Sequence, residues 1–360
     1  MATSAQLREQ IAAGRWDGPL AALYGTAPQE LARQRARYCA ALEQFELYFG
    51  PGRQVQVYSA PGRAELGGNH TDHQHGYGLA AAVTLDLVAV AARNTDGYVR
   101  VKSRGFNKLD VIDLATAEPQ EGESTHSASL IRGIAEGFRA AGKAVGGVIF
   151  ADFADPAAPQ VEKIHADGLL PPGMTLCVTD TRGSHSELTG EFAAIRQEME
   201  AVAACLGGKV LGQVPETDFW AALPRLRTAC GDRAVLRAIH YYEENARTLA
   251  QRRALLEKRF ADFAALVLES GRASFALCQN VYCATDVRHQ GLSVALALSQ
   301  SILQGSSGAW RMQGGGFAGT IQAYVPETLL QRYHTAMERV FGPGSCYVLR
   351  LREQGARQVL

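Results

Sequence analysis

The segment Arg63–Gly78, RAELGGNHTDHQHGYG, constrains the fold of this chain more than any other. It follows Gln54-Val55-Gln56-Val57-Tyr58, whose polar–apolar alternation predicts a strand, and Ala60-Pro61-Gly62, which predicts a break. Glycines crowd the segment, so a loop is expected. Leu79 to Ala92 is apolar and rich in β-branched residues, which predicts a second long strand. The loop carries Arg63, Asn69, His70, Asp72, His73 and His75. A carboxylate can accept from two sugar hydroxyls, and an imidazole or amide supplies donors and further acceptors, so the group suits a polyhydroxylated ligand. Two other readings stay open on the residues alone. One is a solvated polar turn. The other is a metal site of His70, Asp72, His73 and His75, as in a metal-dependent hydrolase, because imidazole and carboxylate are proper zinc or iron ligands.

The rest of the chain reads as mixed helix and strand. Residues 1–49 are expected to be helical up to Gly50-Pro51-Gly52. Val99 and Val101 alternate like a strand. Ser127 to Ala141 places Leu130, Ile131, Ile134 and Phe138 on one helical face, and Val148-Ile149-Phe150 is a short strand. The Pro-rich stretch Asp155 to Pro172 is a candidate boundary, which gives domains 1–165 and 166–360. Thr175 to Val178 predicts a buried strand. Phe192, Ile195, Met199, Val202 and Leu206 follow helical spacing, and two more long helices fit 233–269 and 289–304. Gly314-Gly315-Gly316-Phe317-Ala318-Gly319 then leads into an alternating strand, Thr320 to Val325. A glycine run can cradle phosphate on backbone N–H groups or can be a plain turn. This one is neither a dinucleotide fingerprint nor a Walker loop.

Thirty-six basic residues balance 36 acidic ones without a polybasic block, which argues against nucleic acid or an anionic membrane surface. The apolar run Leu79–Ala92 is interrupted by Thr84 and Asp86 and is too short to span a bilayer. The first residues show no signal-peptide pattern. Seven cysteines without a CxxC pair are expected to be buried, reduced thiols of a cytoplasmic protein. Oligomeric state is not readable.

Three elements in fixed order carry a family resemblance. The first is Gly62-Arg63-Ala64-Glu65-Leu66-Gly67-Gly68-Asn69-His70-Thr71-Asp72. The second is Thr181-Arg182-Gly183-Ser184-His185-Ser186-Glu187-Leu188, after a strand. The third is Gly314 to Gly319. Together with the helix bearing Ser129-Leu130-Ile131-Arg132-Gly133, they resemble a galactokinase-type member of the GHMP small-molecule kinases, from about Tyr58 to Val325. The resemblance implies an α+β, two-domain GHMP fold. Its N-terminal domain would be of left-handed β-α-β type, here truncated, and its C-terminal domain ferredoxin-like. It implies transfer of the γ-phosphoryl group of ATP, with Mg2+, to the anomeric hydroxyl of galactose or a related hexose. Arg63 would sit beside the reacting hydroxyl and balance charge. Asn69, His70, Asp72 and Phe192 would line the sugar, and Gly314, Gly315, Gly316 and Gly319 the nucleotide.

The chain departs from that pattern in three places. Asn69 stands where the family has Glu, and Phe192 where it has Tyr. The family's Gly-Leu-Ser-Ser-Ser-Ala loop and Cys-Gly-x-Met-Asp-Gln segment, which carries the catalytic Asp, are not found between the helix at 127–141 and Val148; an internal segment is missing near 145–147. Helix N-termini anchor phosphates, so a chain without that loop is expected to be a poor kinase or a non-catalytic sugar-binding or regulatory relative.

Overall fold

The structure, a computed structural model, describes residues 2–113, 131, 147–165, 167–184 and 188–360. The helix expected over 127–141 and the stretch from 142 to 146 lie outside the described residues, apart from Ile131. Packing divides the chain into two units. One comprises Met1–Pro61, Asp86–Val145 and Gln354–Leu360; the other Gly62–Leu85 and Gly146–Glu353. The expected cut at residue 165 lies within the second.

Strand β1 (Gln56–Gly67) does not stop at Ala60-Pro61-Gly62 but runs through it, so Arg63 to Gly67 are strand and not loop. Gly62 makes this possible: a Cβ there would lie 2.6 Å from the Leu85 carbonyl oxygen on β2 (Tyr77–Ala91). The glycine that signals a break in sequence here serves close strand approach.

In the first unit, α1 (Ser4–Ala12), α2 (Asp17–Tyr24) and α3 (Pro28–Phe49) realise the expected helical start. Thr3 and Gln6 form a capping box on α1, and Pro28 opens α3, where its missing N–H costs nothing. Their apolar faces bury Ile11, Leu20, Tyr38 and Leu42 with Val57 and Val359. One carboxylate stands in that core. Asp86 accepts from Tyr24 Oη at 2.6 Å, Arg37 Nη1 at 2.5 Å and Ser59 Oγ. A buried carboxylate is tolerated only when so paired. A hairpin of β3 (Tyr98–Lys102) and β4 (Leu109–Asp113) completes the described part of this unit.

The second unit holds two antiparallel assemblies. β2 pairs with β5 (Val148–Asp152), and β5 with β6 (Gln160–Ile164), a strand that the prolines around it hide in sequence. A four-stranded sheet runs β10 (Cys346–Leu349), β7 (Met174–Asp180), β9 (Thr320–Pro326), β8 (Ala309–Gln313). Alternation sorts its faces. Leu176, Val178 and Tyr324 join Ala64, Leu66 and Phe263 in one core, while Cys177, Ile321, Ala323 and Val325 join Leu292, Ile302 and Tyr333 in another. The helix expected over 233–269 is two, α6 (Asp232–Leu256) and α7 (Phe260–Ala273). Lys258 turns left-handed between them (φ 55°), and the N–H groups of Lys258 and Arg259 close back on Leu255 and Ala254. No glycine or proline marks this cap. α4 (Thr189–Cys205) and α8 (Gly291–Leu303) match expectation; α5 (Glu216–Cys230) does not, since Pro215 and Pro224 conceal it. The last helix is α9 (Glu327–Phe341).

Candidate functional site

Every described residue of the site belongs to the second unit. After β1 the chain enters a short loop with a 3-10 turn at Asp72–Gln74. Gly68 at its start has φ 85°, and a Cβ there would lie 2.2 Å from the Tyr77 carbonyl, so only glycine fits. Helix α6 holds the loop with one polar stripe. His240, Glu244, Thr248 and Gln251 are spaced to share a helical face, and all are buried. His240 Nε2 donates to the Asn69 carbonyl at 3.0 Å, and Glu244 accepts the Gly68 N–H at 3.3 Å. Asn245, beside Glu244, accepts the Tyr77 N–H at 2.9 Å.

The loop in turn grips the glycine run. Asn69 Nδ2 donates to the Gly314 carbonyl at 2.6 Å, and His70 Nε2 donates to the Gly315 carbonyl at 2.9 Å. Asn280 Nδ2 bridges the two elements, reaching Asn69 Oδ1 at 2.9 Å and the Gly315 carbonyl at 3.1 Å. A π-turn at Ser274–Cys278 after α7, followed by Gln279 in left-handed conformation, presents Asn280 here. Gly316 (φ 89°) has no room for a Cβ, which would fall 2.0 Å from the Asn280 carbonyl oxygen. The second motif closes the other end: Thr181 donates to the Gly319 carbonyl through both its N–H and its Oγ1, each at 2.8 Å. Phe192 stands edge-on to Phe317 with ring centroids 5.3 Å apart, and its ring lies under Gly315.

The loop's histidines are linked side by side. The Gly315 carbonyl can only accept, so His70 Nε2 carries a proton; its Nδ1 lies 3.4 Å from His73 Nε2. His73 Nδ1 then accepts from Gln74 Nε2 at 3.1 Å. Burial, reinforced by His70, pushes His73 down to about 4, and burial holds His240 at about 4 as well.

Beneath the loop lies a balanced charge cluster. Arg311, fully buried on β8, pairs with Glu65 Oε1 at 2.6 Å, donates to Ser270 Oγ at 2.9 Å and lies 3.7 Å from Glu244 Oε1. Arg247 pairs with the other Glu244 oxygen. Burial alone would raise the Glu244 carboxyl, but Arg311, His240 and Arg247 outweigh it and hold the group down at about 2. Glu65 also accepts from Asn69 Nδ2 at 3.1 Å.

The expected site residues thus fall into two sets. Asn69 and His70 are engaged with the glycine run, as are the carbonyls of Gly314, Gly315 and Gly319. Arg63 and Asp72 are exposed, and neither side chain has a hydrogen-bond or ion-pair partner among the described residues. His185, Ser186 and Glu187 lie outside the described residues. For the metal reading, no three His, Cys, Asp or Glu side chains converge as ligands among the described residues. His70 and His73 spend ring nitrogens on each other. Sequence reasoning passed over Glu65, His240, Glu244, Asn280 and Arg311. The i, i+4 stripe on α6 was visible, but polar residues opposite an apolar face ordinarily face water.

Residues 43–93 match the galactokinase galactose-binding signature. The chain is 27% identical to the galactokinase of Streptomyces coelicolor over 394 aligned positions, covering 88% of this chain and 97% of that one. Over most of its length the chain is thus similar to a galactokinase. A galactokinase from Lactococcus lactis is 37% identical over 86 residues, 23% of this chain and 22% of the other. The crystal structure of Lactococcus lactis galactokinase complexed with galactose superposes with TM-score 0.67 at 17% identity, covering 88% of this chain and 98% of that one. A Listeria innocua protein, Lin0012, gives TM-score 0.55 at 10% identity, with coverage of 85% and 99%. The α+β fold is that of the Lactococcus lactis galactokinase structure. The Streptomyces alignment spans more positions, 394, than this galactokinase-like chain has residues, 360, so the relative contains stretches without a counterpart here. No helix among the described residues is long and apolar enough to cross a membrane.

Proposed function

We propose that this chain is a sugar kinase that binds galactose or a close hexose at the Gly62–Asp72 segment and phosphorylates its anomeric hydroxyl. The observation that carries the reading is the convergence of the first two motif elements on the third, the glycine run. Asp72 accepts from sugar hydroxyls, and Arg63, on the strand that leads into the loop, balances charge at the reacting oxygen. Asn69 and His70 act one layer back, fixing the run that the sugar segment faces.

The resemblance implies ATP and Mg2+, which would supply the phosphoryl group and neutralise its charge. The described residues fit them in part. The glycine run has its carbonyls fixed by Asn69, His70, Asn280 and Thr181, so its shape is set before any ligand arrives. Its cationic neighbour Arg311 is committed to Glu65 and Ser270. The helix-opening serine loop that would hold the phosphates is not found in the sequence. A cytoplasmic location goes with the reading.

A second reading has a specific observation behind it. The alignment longer than the chain, together with the missing serine loop, favours a relative that binds sugar without turnover. Calorimetry with galactose, with and without MgATP, and an ADP-release assay separate the two. Galactose-dependent ADP release, abolished in Asp72→Ala, supports the kinase. Galactose binding without nucleotide binding supports the second reading. Absence of binding to any hexose sinks both.

A further inference from the structure

The expectation of seven sequestered thiols holds for Cys177, Cys278, Cys283 and Cys346, which are buried. It does not hold at the far end of α4. Cys205, the last residue of α4, is exposed, and Cys230, the last residue of α5, is half-buried; their sulfurs are 3.5 Å apart. The residues are 25 apart in sequence, so the approach is made by the packing of the two helices. We propose that Cys205 and Cys230 form a redox modification site, a dithiol that a hydroperoxide oxidant closes to a disulfide.

Three features support closure. Both residues stand at helix C-termini, and Gly231, with φ 85°, comes directly after Cys230. Closing the gap to the roughly 2 Å of a disulfide bond needs only a small rearrangement of two short side chains. Access is graded. Cys205 meets the solvent-borne oxidant and Cys230 stands behind it, its sulfur also 3.8 Å from the Ala201 carbonyl. Burial, then Cys205 itself, pushes the Cys230 thiol up to about 11, so it is protonated at neutral pH and Cys205 is the first to meet the oxidant.

The chemistry balances. The Cys205 thiolate attacks the O–O bond of the hydroperoxide, which breaks, leaving a sulfenic acid and releasing the alcohol, or water when the oxidant is hydrogen peroxide. Cys230 sulfur then attacks the Cys205 sulfur, the S–O bond breaks, water leaves, and the S–S bond forms. Two thiols lose two electrons and two protons; the peroxide gains them. A dithiol reductant reverses the step. The loop closed by the bond contains all of α5, which fixes that helix to the end of α4.

The test uses the full chain and hydrogen peroxide. After brief treatment the intact protein should lose two mass units; after alkylation in denaturant it should carry five adducts where the untreated protein carries seven, and a single cross-linked peptide should join Cys205 to Cys230, reversed by dithiothreitol. Cys230→Ser should leave a sulfenic acid on Cys205 that dimedone traps, and Cys205→Ser should leave Cys230 reduced. Melting temperatures of both variants under reducing conditions should match the parent, which separates lost chemistry from lost folding. The proposal is overturned if all seven thiols remain alkylatable after treatment, if the cross-link joins other cysteines or two chains, or if Cys205→Ser oxidises as the parent does.

Discussion

The two ends of the Gly62–Asp72 motif and its middle behave as different materials. Arg63 and Asp72 are exposed, and neither side chain has a hydrogen-bond or ion-pair partner among the described residues. Asn69 is 1% exposed, with its amide shared between Gly314, Glu65 and Asn280. A motif that looks uniform in sequence is therefore divided between groups free to meet a ligand and groups already spent on holding the glycine run. Groups of the first kind can be changed with little cost to the fold. Groups of the second kind cannot, because each replacement strands a buried polar partner.

The sharpest way to break this contrast is at Arg311. Arg311→Met fills the space but leaves Glu65 and Glu244 without their shared cation. Removing one partner of a buried pair costs about 3–5 kcal/mol. Urea unfolding should show a loss of that size, and a loss under ~1 kcal/mol would contradict the description of the cluster as a structural post.

Acid attacks the same region without mutation. His73 and His240 have folded values of about 4 against an ordinary 6.5, so the unfolded chain takes up their protons first. Their stabilisation is complete above pH 6.5 and is lost as pH falls from 6.5 to 4. Glu244, at about 2 against 4.5, adds a further loss below pH 4.5. Urea midpoints should be flat above about pH 7 and fall in two stages on acidification. His73→Gln should shrink the first stage to the share of His240; a midpoint that rises between pH 6.5 and 4.5 would refute neutral burial of these two imidazoles.

Much of this was readable from residues and some was not. Local pattern gave α1–α3, β2, β7 and β9, because each is either amphipathic or alternating. The motif's place beside a strand was also plain. What escaped were the features that depend on long-range approach. Gly62 reads as a break because nothing local shows the Leu85 carbonyl that needs its bare Cα. Lys258 ends α6 in a conformation that its residue type does not advertise. Glu65 and Arg311, 246 residues apart, form an ion pair that only the paired sheets reveal.

The middle of the motif offers a test of coupling. Asn69→Glu would restore the residue of the resembled family, yet here it would set a carboxylate against Glu65 and the Gly314 carbonyl. A cost of about 2–3 kcal/mol is expected, since a buried charge gains a repulsive neighbour and an amide donor is lost. Glu65→Gln in the same chain supplies a donor where the repulsion was, and should recover part of the loss. A double-mutant cycle that shows simple additivity would mean the two side chains do not communicate.

The exposed end makes the smallest mark on stability and the clearest on binding. Asp72 begins the 3-10 turn, but its side chain caps nothing, so Asp72→Ala should move the unfolding free energy by no more than about 0.5 kcal/mol. A charge-assisted hydrogen bond to a sugar hydroxyl is worth about 1.5–3 kcal/mol, on the order of ten- to a hundred-fold in Kd. Calorimetry with galactose on Asp72→Ala therefore separates the two kinds of residue in a single motif. Weakened binding with unchanged stability places Asp72 against the ligand. Unchanged binding would move the sugar away from this turn and leave the loop a purely structural clasp for the glycine run.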